Sequence, residues 1–228
     1  MNFNKIAARR PSRRAFVLGS ASILGLSLAG CTTASNDSAG SADTVSDSYR
    51  SMYGPLPSEK FPIPGVDLEK VPSQFRRRSV TYRTKEKPGT IIVDTSAHYL
   101  YLVEPGGKAM RYGVGLGRAG FEWSGRARVA WKRPWPTWTP PDEMIARRPD
   151  LRKYSADNGG MQPGLDNPLG ARALYIFEGN KDTLYRIHGT PEYWTIGKSV
   201  SSGCVRMINQ DVIDLYKRVR SNAEIVVV

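Results

Sequence analysis

Apolar residues are unevenly spread along this chain. They form one run from Ala15 to Ala29, scatter among prolines between residues 48 and 87, and settle into short β-like segments from Pro88 onward. In that last stretch "TIIVD" is a continuous apolar run of the kind a buried strand requires. "HYLYLVE" alternates with period two, Pro105-Gly106-Gly107 interrupts it, and "KAMRYGVGLG" follows, so the pair predicts a hairpin. "RARVAWKR" alternates again. "ALYIFEG" and "TLYRIHG", separated by Asn180-Lys181-Asp182, predict a second hairpin, and "EIVVV" predicts a closing strand. A helical period is clear in one place: "NQDVIDLYKRV" sets Val212, Leu215, Tyr216 and Val219 on one stripe, with Asn209 as the expected N-cap and Asp211 in the first turn. The pattern predicts a mainly β domain with one late helix and no parallel βαβ units. Trp131 to Asn167 is a long segment rich in Pro, Trp and Arg. Such a segment is expected to be a lid or binding loop, its tryptophans forming a rigid wall beside a cleft or pinning a structural arm.

The N-terminal part adds a compartment. "RRPSRRAFVLGSASILGLSLAGC" places a basic, acid-free stretch before the apolar run and small residues after it, the plan of an export signal over residues 1–30. Within it, Ser12-Arg13-Arg14-Ala15-Phe16-Val17 resembles a twin-arginine motif, and Leu28-Ala29-Gly30-Cys31 resembles a lipobox whose Cys31 thiol receives a diacylglycerol. An uncleaved anchor helix and a plain secretory signal are the alternatives. Residues 32–47, "TTASNDSAGSADTVSD", read as a flexible tether. Residues 48–87 read as an extended arm that packs partly on the domain and lacks a core of its own. Residues 31–87 are thus a lipidated tether with an N-terminal arm, and residues 88–228 the domain that carries the chemistry.

With 228 residues, 40% hydrophobic and 24% charged, the chain has the composition of a globular protein with room for one ordinary domain. Its formal charge of +12 includes Lys5, Arg9, Arg10, Arg13 and Arg14, so cleavage of the signal lowers it by five and leaves it basic. The positive residues are scattered, and an exported lipoprotein has little access to nucleic acid. Anionic envelope polymers and membrane surfaces are the expected partners, with no nucleic acid among them.

Candidate chemistry narrows quickly. Gly115-Leu116-Gly117-Arg118-Ala119-Gly120 satisfies G-x-G-x-x-G, but "FEWSGRARV" follows where a helix N-terminus would have to hold a pyrophosphate, so a glycine-rich bend is expected. Two histidines and two cysteines, one at the processing site, assemble no metal-ligand spacing, and no metal or cofactor is expected. His98 reads as an ordinary strand residue. That leaves His188 and Cys204. Acylation of Cys31 would leave Cys204 as a thiol in an oxidising compartment. Thiolate is the reactive form, and a nearby imidazole can take its proton. Gly203 permits a tight turn that aims the Gly203 and Cys204 amides at a developing oxyanion. A buried structural cysteine and a satisfied core histidine fit the spacing equally well.

"HGT", a gap, then "SSGCVRM" resembles the signature of the L,D-transpeptidase catalytic domain, the YkuD-type family of bacterial cell-wall enzymes. "GTIIVD", "LYLVE", "YGVGLGR", "WPTWTPP", "DNPLGARALY" and "LYRIHGT" agree with it, over roughly Pro88 to Val228. The resemblance implies a β-sandwich or barrel-like fold and a cysteine acyltransferase acting on peptidoglycan stem peptides. It implies Cys204 as nucleophile and His188 as general base and acid. Gly203 and Gly189 take the oxyanion and orienting positions, with a carbonyl near Gly189 fixing the imidazole tautomer. Arg206 is implied to orient the loop or a substrate carboxylate, and Ser201 and Ser202 are implied at the substrate; many members carry histidine where this chain has Ser202. The implied acceptor is another stem's amine, giving a 3-3 crosslink, or a lysine of an envelope protein, and the implied place is periplasmic, held to an envelope membrane by a lipid on Cys31. A hydrolase on the same scaffold and a non-catalytic wall-binding lipoprotein are the rival readings.

Overall fold

The computed structural model describes residues 46–117, 124–201 and 203–228. The expected export signal, Cys31 and most of the tether lie outside the described residues. Two elements come from the arm, helix α1 (Asp47–Met52) and strand β1 (Arg78–Thr81). The rest follow in chain order: β2 (Ile91–Asp94), β3 (Tyr99–Glu104), β4 (Lys108–Gly113), β5 (Leu116–Gly117), β6 (Gly125–Pro134), α2 (Asp142–Arg147), β7 (Arg172–Glu178), β8 (Lys181–Thr190), β9 (Ser199–Ser201), β10 (Val205–Ile208), α3 (Asn209–Arg218) and β11 (Glu224–Val227).

The protein is mainly β. Nine strands form one mixed sheet in the order β1-β4-β3-β2-β11-β6-β7-β8-β10, and β5 pairs with β9. In the main core Ile91, Leu100, Tyr112, Val129, Leu174, Ile176, Ile187, Val205 and Met207 meet Val212, Leu215 and Val219 of α3. Each such side chain contributes on the order of 1.5–3 kcal/mol by leaving water. Past β4 the chain crosses to the far edge, where Gly115 and Arg206 exchange backbone hydrogen bonds of 2.9 and 2.8 Å. That isolated bridge ties the chain beyond β4 to the β10 edge of the sheet.

Both expected hairpins are present. β3 and β4 pair from Tyr99↔Gly113 to Glu104↔Lys108, and β7 and β8 close at Glu178↔Lys181. The second turn is therefore Gly179-Asn180, one residue earlier than expected, and the register of the pair shifts between Tyr175 and Phe177. Three pairings are parallel: β2 with β11, β8 with β10, and β5 with β9. Alternation alone did not reveal them, and β8 reaches β10 through a 3-10 turn and β9 rather than an α-helix. The late helix α3 is joined by two six-residue helices, α1 and α2. Asn209 is not its N-cap: Ile208 holds that position, and Asn209 Oδ1 instead accepts from the Ala171 amide at 3.0 Å.

The arm is more deeply built in than its composition indicated. Asp47, expected as tether, opens α1. β1 extends the sheet by pairing with β4. Tyr53, Leu68 and Val71 share a buried cluster with Ile196 and Ile208, and Ile63 packs with Trp135, Ala171 and Ile213. Polar contacts complete the seam. Glu59 accepts from Trp135 Nε1 at 3.0 Å and pairs with Arg172 at 2.6 Å, while Gln210 donates to the carbonyls of Gly54 and Pro64.

One buried carboxylate lies on this seam. Asp211 is fully buried, accepts from the Tyr53 hydroxyl at 3.1 Å, and sits 3.7 Å from Arg77, which also pairs with Asp214. Burial pushes the Asp211 pKa up from 3.8 to about 7, with the Asp214 charge adding to it and Arg77 and Tyr53 opposing it. The folded state therefore holds this proton more tightly than the unfolded chain, and the group's contribution falls as pH rises from about 4 to about 7. Asp211→Asn keeps an acceptor for Tyr53 and removes the titration. Urea denaturation across pH is expected to show the variant gaining on wild type by an increment that grows between pH 4 and 7; a constant difference would mean that Asp211 stays ionised throughout.

Candidate active site

Strand alternation decides which side chains reach the outer face of the sheet. On β8, Ile187 points into the core and His188 points outward. The strand registers align rows across this face. Arg133 on β6, Ala173 on β7, His188 on β8 and Arg206 on β10 form one; Trp131, Tyr175 and Arg186 form the next. Cys204 immediately precedes β10, two residues before Arg206, so the alternation that buries Val205 and Met207 brings it to the end of the second row.

His188 is nonetheless only 4% exposed, and the backbone of Pro168, in the loop that precedes β7, bonds to its ring. Its Nδ1 lies 2.6 Å from the carbonyl oxygen of Gly189, an atom that can only accept. The proton therefore sits on Nδ1 and the lone pair on Nε2. Behind the ring is a tight junction. Gly189 and Gly170, the latter at φ +58°, both pack against Asn209 Oδ1, and a Cβ on either would collide with that oxygen. Gly189 thus has a steric duty besides offering its carbonyl. Asn167 braces the loop before β7: it is fully buried, its amide donates to the carbonyls of Pro136, Met161 and Gln162, and its Oδ1 accepts from the Leu169 amide.

Cys204 is partly exposed, and its sulfur accepts a hydrogen bond from the main-chain amide of Arg186. Gly203 has φ +127°, a conformation costly for any residue with a side chain, and it lies against the Tyr185 ring. Arg206 pairs with Glu192 at 3.0 Å, which ties β10 to the loop after His188; the exposed carboxylate keeps this bond worth at most about 1 kcal/mol. Ser201 ends β9 opposite Gly117, and Ser202 lies outside the described residues.

The electrostatics favour a neutral pair at rest. Burial first, then repulsion from Arg206 and Arg186, lowers the His188 pKa from 6.5 to about 4, against the pull of the Gly189 and Pro168 carbonyls. Burial pushes the Cys204 thiol up, while the Arg186 main chain and the charges of Arg186 and Arg206 pull it down. The two guanidiniums therefore favour thiolate and disfavour imidazolium.

His98 sits in a turn before β3 at φ +59°, not in a strand, and its Nε2 is 3.1 Å from Ser199 Oγ. Gly115 and the two-residue β5 begin the glycine-rich stretch; the next described element is strand β6, not a helix. No group of three His, Cys, Asp or Glu among the described residues could hold a metal ion. The Trp-rich segment divides: Trp135 is buried edge-on against Phe61 and pins the arm, whereas Trp131 stacks on Tyr175 at 3.4 Å on the outer face. Sequence reasoning passed over Arg186 and Asn167. Asn167-Pro168 is a turn signal, but nothing in the residues around Arg186 marks its neighbourhood with Cys204.

Residues 88–228 match the L,D-transpeptidase catalytic domain, YkuD. The probable L,D-transpeptidase ErfK/SrfK of Escherichia coli K12 is 34% identical over 139 residues, 57% of this chain and 40% of that protein. The probable L,D-transpeptidase YbiS of the same organism is 38% identical over 111 residues, 46% of this chain and 33% of the relative. The chain thus spans well under half the length of either. Among solved structures, a probable carnitine operon oxidoreductase, caia, from Brucella melitensis is 48% identical over 71% of this chain and 99% of that one, with a TM-score of 0.48. Its name describes that protein alone. The match over residues 88–228 covers most of the sequence, and the chain belongs to the YkuD family of L,D-transpeptidase catalytic domains.

Proposed function

We infer that this chain is a peptidoglycan L,D-transpeptidase working by cysteine acyl transfer. The observation that carries the reading is the imidazole of His188, locked through Nδ1 on the Gly189 carbonyl, in a row beside the one that ends at Cys204. The Cys204 sulfur attacks the carbonyl of the third residue of a tetrapeptide stem as Nε2 of His188 takes the thiol proton. The Gly203 and Cys204 amides receive the oxyanion. The tetrahedral adduct collapses by breaking the bond to the terminal D-alanine, whose amine leaves with the proton from His188, and a thioester remains. An acceptor amine then attacks, gives its proton to His188, and releases Cys204 as the thiol. No metal or cofactor enters any step.

The acceptor is another stem's side-chain amine or a lysine of an envelope protein. Incubation with a disaccharide-tetrapeptide, followed by chromatography and mass spectrometry, tests the reading. Dimer with one D-alanine released per bond supports transfer; D-alanine without dimer, at any amine concentration, would make the enzyme a hydrolase. The place of action is periplasmic, with Cys31 lipid-anchored to an envelope membrane; no helix among the described residues is long and apolar enough to cross one. Radiolabelled palmitate is expected in the wild-type protein and not in Cys31→Ser; equal labelling would refute the anchor.

A further inference from the structure

The row that ends at Cys204 carries an arrangement that the transfer chemistry does not use. Trp131 and Tyr175 stack face to face with ring centroids 3.4 Å apart and an interplanar angle of 11°. The Arg186 guanidinium lies 4.4 Å from the Tyr175 centroid on this ladder, and Arg133 lies 5.4 Å from that of Trp131. Arg186 is fixed further by two bonds to Asp182, at 2.7 and 2.8 Å. Each guanidinium thus carries its charge over an aromatic ring, and a planar guanidinium is the cation best suited to pairing with a carboxylate.

Charge along these rows is unbalanced. The guanidiniums on them are Arg133, Arg186 and Arg206, and Arg128 lies further along β6 opposite Phe177. Asp182 is taken by Arg186 and Glu192 by Arg206. Arg128 bonds neutral oxygens of Gly179 and Asn222, and Arg133, which is exposed, has no ion pair among the described residues. Trp131 is 38% exposed, although an indole of its size is ordinarily well covered.

We propose that Arg133, Trp131 and Tyr175, buttressed by Arg186, form a subsite that binds an acidic peptide strand and leads it along the sheet to Cys204. Arg133 takes a carboxylate, and the stacked rings cover the adjoining backbone and aliphatic atoms. The subsite rests on the transpeptidase reading for the identity of the peptide, a stem with free carboxylates, but not for its chemistry of recognition.

The test separates the two. Calorimetric titration of the full chain carrying Cys204→Ala uses a stem tetrapeptide as the free acid, and the same peptide with its side carboxylates amidated. The acid is expected to bind about five-fold or more tightly than the amide, the scale of one well-placed charge-assisted bond. Arg133→Gln abolishes the preference, Arg133→Lys restores part of it, and Arg220→Gln, which removes a charge beyond α3, leaves it intact. Trp131→Ala weakens both peptides alike. Wild-type preference retained in Arg133→Gln, or no loss in Trp131→Ala, overturns the subsite. Binding with the expected preference, but without turnover of the peptide by the Cys204 protein, would leave the subsite standing and sink the transpeptidase reading. No binding to either peptide sinks the subsite.

Discussion

Cys204→Ala is expected to lower D-alanine release and dimer formation by at least about 10³-fold while leaving the denaturation midpoint close to that of wild type. Loss of the nucleophile removes the thioester route entirely, and what remains is positioning and oxyanion binding at an unreactive centre. Intact-protein mass spectrometry is expected to show an adduct of the stem less D-alanine on wild type and none on the variant. Serine is not expected to rescue activity, because a hydroxyl gives up its proton far less readily than a thiol. An adduct that survives Cys204→Ala would place the nucleophile elsewhere. Burial also raises the Cys204 pKa, so iodoacetamide is expected to react slowly at neutral pH and faster only as pH climbs above the ordinary thiol range.

His188→Gln is expected to cost about 10²–10⁴-fold in kcat, the usual contribution of a positioned acid–base group. Glutamine roughly fills the ring's volume and can keep a bond to the Gly189 carbonyl, so the loss reports proton transfer and not collapse of the site. The pH profile gives the sharper reading. Catalysis needs the neutral imidazole, and a pKa of about 4 puts the acid limb of kcat/KM near pH 4 instead of 6.5. Activity should therefore hold through mildly acidic conditions and fall only below them, and the limb should vanish in the variant. A limb at the ordinary histidine value would mean that solvent reaches the ring. Folding stability carries the same sign: a histidine buried neutral loses stability as pH drops from 6.5 toward 4, opposite to the trend from Asp211.

Much of this architecture is legible in residue order, for a physical reason. β2, the β3–β4 hairpin and the stripe of α3 each announce themselves within a few residues, because burial on one face imposes the local period. The candidate pair His188 and Cys204 was singled out by the short motifs around it, and the registers set the two on neighbouring rows. The misses have remote partners. Asn209 carries the cap residue's chemistry, but the Ala171 amide, 38 positions away, claims its oxygen. "RSVT" shows no alternation that would mark β1, whose place is fixed by β4. The bond between Arg186 and Cys204 follows from the parallel register of β8 and β10, which no periodicity encodes.

The woven arm changes what counts as the unit of this protein. Cutting at residue 88, where the family match begins, strips β1 from β4 and leaves a row of amides and carbonyls open along the sheet's edge. It also uncovers Ile196 and Ile208 by removing Tyr53, Leu68 and Val71. An unprotected edge beside newly exposed aliphatics is a template for chain-to-chain strand addition. A truncated domain should therefore be oligomeric or insoluble, and a soluble recombinant form should begin before α1.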